Sequence, residues 1–230
     1  MLDKDAEVKI SVMYNFPALA GDQHVQWALR FIQSYNQHPP GMMHDTIVAL
    51  NDARVTPEIT CMFSSLPNVT FLERPGGIAQ DIGAYQEAAA TFPSDLMVFF
   101  GGRSYFRRGG WMDRVVTSYL KRGDTLFGAT ANRGDGHAQP HIRTTGFWIS
   151  PRLFNQYPHK ITTNEERYPF EHGQNCLTSW IKRIGRIPYL VSWDGEYVWK
   201  DWDSVTNGFH RGNQSNVLFG DRVTELYRNP

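Results

Sequence analysis

Glu171 is the carboxylate whose neighbours best prepare it for proton transfer. It stands in the run Tyr168-Pro169-Phe170-Glu171-His172-Gly173, where Pro169 and Phe170 can withdraw it from water and raise its pKa toward the range a general base uses. A purely structural role is open too, as a charge that stabilises the N-terminus of the following helix. On its own position Asp81 reads as a helix cap, and Asp52 as a turn residue. The stretch 94–107 (SDLMVFFGGRSYFR) carries a different chemistry. Five apolar residues, Leu96 to Phe100, run into Gly101-Gly102-Arg103, the pattern of a central parallel strand covered on both faces. Ligands of open α/β sheets sit beyond the carboxyl ends of such strands, which puts Gly101, Gly102 and Arg103 at a site. A guanidinium there pairs well with phosphate oxygens. His137 and His141 have a helical metal-pair spacing, but Gly134, Gly136 and Pro140 argue against a helix, so they read as loop histidines.

The elements that must position these residues alternate. Residues 8–13 (VKISVM) read as a first strand, and Val25, Ala28, Leu29 and Ile32 form one helical face before the Pro39-Pro40-Gly41 breaker. Residues 46–50 (TIVAL) and 68–73 (NVTFLE) are further strands, with a weaker helix over 57–65. Asp81 opens a helix with the face Ile82, Tyr85, Ala89 and Phe92. After the central strand come a helix with Met112, Val115, Val116 and Tyr119 and a strand over 125–130. The expected fold is α/β, with a mostly parallel central sheet and helices on both faces. The second half has a polar loop over 131–143, a strand over 144–150, an amphipathic face of Leu177, Trp180, Ile181 and Ile184, a last strand over 187–193 and an irregular aromatic tail. No linker or repeat interrupts residues 1–230, so one domain is expected.

Composition narrows the function classes. The 230 residues carry 23 basic and 23 acidic side chains, a zero formal charge that argues against a general nucleic-acid footprint. Cys61 and Cys176 are far apart and fit no metal-ligand spacing, which suggests reduced thiols in a cytoplasmic protein. The polar N-terminus reads as no signal peptide, and no run approaches a membrane span. Neither GxGxxG after the first strand nor GxxxxGK[ST], GxSxG or HExxH occurs.

The order strand, helix, TIVALND, strand, PGG, DIGAYQEA, SDLMVFF, WMDRVV and LFGAT resembles the nucleotide-sugar-binding half of GT-A glycosyltransferases, of the family 2 and capsule or rhamnan-synthesis types. RYPFEHGQNCLTSWIKRIGRIPYLV is similar to their acidic motif, a carboxylate at a helix start followed by a helix and a strand. The resemblance divides the domain into a donor half, 8–130, and an acceptor-side half with the tail, 131–230. It implies an inverting transfer of a sugar from a nucleoside diphosphate to a glycan hydroxyl, in polysaccharide biosynthesis, with Glu171 as base. Tyr14, Asn15, Asp52, Asp81, Gly101, Gly102, Arg103, His210 and Arg211 would face the donor. His141, Arg143, Thr145, Trp148 and His172 would face the acceptor, although Trp148 fits a core position as well. Such enzymes hold a divalent metal (Mn or Mg) on an Asp-x-Asp at the end of the central strand. Gly101-Gly102-Arg103 stands there instead, and the literal Asp201-Trp202-Asp203 lies after the last strand. Either Arg103, with Arg107 or Arg108, replaces the metal, or the chain is a non-catalytic nucleotide- or glycan-binding protein. A nucleotidyltransferase is disfavoured, since its glycine-rich first loop and paired acids are missing.

Overall fold

The computed structural model describes residues 8–18, 21–132, 140–202 and 214–228. The chain runs β1 (Ile10–Pro17), α1 (Gln23–Gln37), β2 (Asp45–Asn51), α2 (Pro57–Phe63), β3 (Val69–Arg74), α3 (Gln80–Thr91), β4 (Leu96–Phe100), β5 (Tyr105–Phe106) and α4 (Trp111–Arg122). It continues through β6 (Phe127–Gly128), β7 (Ala131–Asn132), β8 (His141–Ile142), β9 (Gly146–Ile149), α5 (Pro151–Phe154), α6 (Arg167–Glu171) and α7 (Leu177–Arg183), then β10 (Tyr189–Val191), β11 (Glu196–Val198), β12 (Phe219–Gly220) and α8 (Arg222–Arg228). The main sheet has the order β11-β10-β6-β9-β4-β1-β2-β3. β1 pairs in parallel with both β2 and β4, and β2 with β3. The expected strand over 144–150 shortens to β9 and runs antiparallel to β4 and β6. The sheet is therefore mixed and mostly parallel.

Strand alternation sorts the core into two layers. Ile10, Val12, Tyr14 and Phe16 of β1 and Leu96, Val98 and Phe100 of β4 face α1, α2 and α4. Met13, Met97 and Phe99 face α3, α5 and α7. Both faces are covered, which is why β4 is apolar at every position. Two corrections follow from this period of two. Tyr14 does not face a ligand: it is fully buried, stacks on Phe31 at 4.1 Å, and its hydroxyl donates to the Gly102 carbonyl at 2.9 Å. Trp148 is core as well, stacked on Phe127, with its indole N–H donating to Ser118 Oγ at 3.2 Å.

Helix faces differ from the sequence expectation where aromatic packing decides. On α1 the buried face is Ala28, Phe31, Ile32 and Tyr35, while Val25 and Leu29 are only half-buried. Phe31 sits among Tyr14, Phe100 and Phe106, and that contact sets the helix's rotation. On α4 the expected Met112, Val115, Val116 and Tyr119 are all buried. The tail is less irregular than its composition suggests, because β12 pairs antiparallel with β5 and α8 follows it. Among the described residues no helix is long and apolar enough to cross a membrane.

Candidate active site

Strand order reverses between β1 and β4, and a cleft of about 390 Å³ opens beyond their carboxyl ends. Asn15, Pro17, Asn51, Asp81, Arg103 and Arg167 are among its walls, with Gly101, Gly102 and Thr145. Gly102 forms part of the floor and has no room for a side chain. A Cβ there would lie 2.5 Å from Pro17 Cγ and 2.7 Å from its Cδ. Gly102→Ala is expected to cost about 1–3 kcal/mol of overpacking, read as a lower denaturant midpoint at unchanged slope.

Three ion pairs and hydrogen-bond clusters shape the walls. Arg167 donates to Asp81 Oδ1 through Nε at 2.8 Å and to Gln80 Oε1 at 2.8 Å. Asp81 is the second residue of α3 and does not cap it; the N-cap is Ala79, at φ 55° and without a side-chain cap. Arg74 is buried behind this loop, donating to the carbonyls of Ile78 at 2.7 Å and Gln80 at 2.8 Å, to Asn51 Oδ1 and to Glu87. Asn51 in turn donates to Asn15. On the other wall Asp221 accepts from the Thr145 hydroxyl at 2.6 Å and pairs with Arg143 at 2.9 Å. Its other oxygen accepts from the Thr224 amide at 2.9 Å. Burial works against the Asp221 charge, but Arg143, Thr145 and Thr224 more than offset it and hold the carboxyl below the usual range.

Glu171 is not itself in the cleft wall but adjoins it through Thr144, which precedes the wall residue Thr145, and lies within electrostatic reach of Arg167 and Asp81. It ends α6 instead of starting a helix, and α7 begins only at Leu177, so the macrodipole reading does not apply. The Thr144 hydroxyl donates to its Oε1, and His172 Nε2 stands 3.9 Å from Oε2. Burial first, and then the negative charge of Asp81, push Glu171 up to about 7, against the pull of Arg167 and Arg143. That is the perturbation expected of a working carboxylate.

The remaining candidates are dispersed. Asp52 is exposed beyond the cleft, with φ 60°, and accepts from the Gly76 amide at 3.1 Å; its neighbour Asn51 takes the wall position. His141 is buried behind His172, ring centroids 4.4 Å apart, and does not face the cleft. His210, Arg211, His137 and Asp203 lie outside the described residues. Asp201 follows β11, which β10, β6 and β9 separate from β4. Sequence reasoning missed Asn51, Arg74, Arg167 and Asp221. Only Asp221 left a trace, an Asp immediately before apolar helical spacing, which is an N-cap signal.

The residues at the end of β4 do not fit a divalent cation. Gly102 cannot carry a ligand, Arg103 is itself a cation stacked 4.1 Å over Trp27, and the nearby acids Asp81 and Asp221 are held by arginines. Among the described residues no three His, Cys, Asp or Glu side chains are arranged so as to hold a metal ion.

No family model matches the chain, and no curated protein matches it. Solved structures do. The mannosyltransferase PcManGT from Pyrobaculum calidifontis, in complex with GDP-Man and Mn2+, aligns with a TM-score of 0.52 at 10% identity, over 68% of this chain and 48% of that one. The galactosyltransferase LgtC, with donor and acceptor sugar analogs, gives 0.49 at 12% identity over 75% and 70%. TarS residues 1–349 from S. aureus, in complex with UDP-GlcNAc, gives 0.46 at 11% over 64% and 46%. The chain thus spans about half the length of the mannosyltransferase and of TarS 1–349. Its fold is GT-A-like; the likeness is one of fold.

Proposed function

We propose that this chain is a glycosyltransferase that moves a sugar from a nucleoside diphosphate to a glycan hydroxyl with inversion. One observation carries the reading: a carboxylate raised to about 7 stands beside a cleft at the strand-order reversal of a GT-A-like sheet. The donor nucleoside lies against Asn15, Pro17 and Asn51, and the sugar lies toward Asp81, Arg167 and Thr145. Glu171 takes the acceptor hydroxyl proton as that oxygen bonds to the anomeric carbon. The bond from that carbon to the diphosphate oxygen breaks, and the diphosphate leaves with the electron pair. Thr144 orients Glu171 from the acceptor side, and the charge of Arg143, itself paired with Asp221, favours the ionised form.

The base must be ionised to act, so kcat/KM for transfer rises with unit slope as pH increases and levels off near 7, the value at which Glu171 titrates. A pH–rate profile on the donor that turns over checks this. A flat profile between pH 5 and 8 removes Glu171 from the role. The alternative, a protein that binds nucleotide without catalysis, is favoured by the absent Asp-x-Asp and predicts donor binding with no turnover.

A further inference from the structure

The cleft continues past Arg103. Between the starts of α1 and α8 lies a depression of about 340 Å³, walled by Gln23, Trp27, Arg30, Arg103, Arg222 and Glu225. Trp27 and Arg103 border both spaces, so one ligand can extend from the cleft into the depression. Charge in the depression is unbalanced. Arg30 is paired with Glu225 and lies 3.7 Å over the Tyr105 ring. Arg103 rests on Trp27, and neither it nor Arg222 has a carboxylate partner among the described residues. Burial and the charge of Arg222 both act against the positive charge of Arg103. Two guanidiniums facing one concave space repel each other while it is empty, and an anion between them turns that repulsion into attraction. The backbone of Arg222 starts from a fixed point: it follows Asp221, which Thr145 and Arg143 fasten beside the cleft.

We propose that the diphosphate of the nucleotide ligand, which links the nucleoside and the sugar in the cleft, lies at the border of cleft and depression and is held between Arg103 and Arg222, where the end of β4 does not suit a divalent cation. This rests on the nucleotide-sugar reading and names the groups that neutralise the diphosphate. The same pair offsets the charge that develops on the diphosphate as it leaves. Arg222 is exposed on α8, so replacing it does not threaten the fold.

The test is calorimetric titration of UDP, GDP, dTDP and CDP, and separately of inorganic pyrophosphate, into the wild-type chain, Arg103→Gln and Arg222→Gln. Each is run in EDTA and again with Mn2+. The expected result is that one nucleoside diphosphate and pyrophosphate bind in EDTA, and that each substitution weakens both by about tenfold or more. Binding that appears only with Mn2+, or that is the same in Arg222→Gln as in wild type, overturns the proposal. Pyrophosphate binding that needs both arginines, with no nucleoside diphosphate binding more tightly than pyrophosphate, upholds the arginine pair as an anion site and overturns the nucleotide reading instead.

Discussion

Glu171→Gln is expected to lower kcat for transfer by about 10²–10⁴-fold, the usual contribution of a positioned base, while nucleotide affinity is unchanged. Gln keeps the shape and an oxygen that can accept from Thr144, as Glu171 Oε1 does, but it cannot take a proton. Stability supplies the control. The folded carboxyl titrates near 7 and an unfolded Glu at roughly 4.3, so between those values the folded state binds more protons. Wild-type stability therefore falls as pH rises through that window, and the Gln variant, which does not titrate, escapes the loss. At pH 8 the variant should melt above the wild type, and below pH 4 the two should converge. An inactive variant that is more stable at pH 8 separates lost chemistry from lost structure. A fully active one ends the assignment.

Arg74→Met is expected to cost roughly 2–4 kcal/mol of stability and to abolish nucleotide binding, because hydrogen bonds to a charged donor are the strong ones and buried acceptors left unmet carry their full desolvation penalty. The loss falls on the carbonyls of Ile78 and Gln80 and, most heavily, on the buried side-chain oxygen of Asn51. The Glu87 pair contributes little, since that carboxylate is half-exposed. Glu87→Gln should accordingly stay near wild type. Arg74→Lys should not rescue, because one ammonium cannot span acceptors that a planar fork reaches together. Urea melts of the three variants, with nucleotide titrations alongside, check all of this. A marginal effect of Arg74→Met would show that the loop before α3 holds itself.

The strands and the location of the cleft were legible because period-two burial leaves an unmistakable mark on a sheet covered on both faces. β4 was bounded at Leu96–Phe100 from sequence, and Gly101 to Arg103 do border the cleft. What stayed hidden depends on contacts between distant segments. Nothing local distinguishes Asn51 from Asp52, yet one lines the cleft and the other meets Gly76. Nothing in the sequence marks Arg167 and Arg74, whose roles appear only when Asp81, Gln80 and Asn51 are placed beside them. Tyr14 reads as a loop residue facing the donor because the expected strand ends at Met13, whereas β1 runs on to Pro17 and its parity sends Tyr14 to the α1 face. The tail reads as irregular because β12 has only two residues and gains its order from β5.

Asp221 also sets an order of events. The pairings of β1, β2, β3 and β4 involve residues no later than Phe100, and β9 completes that neighbourhood by Ile149. Thr145, however, waits for a partner 76 positions further along the chain. On a ribosome the sheet can therefore pair while the wall formed by Arg143, Thr145 and Asp221 does not yet exist, since long-range contacts close late. A nascent chain of this protein gains its shape well before it gains its site.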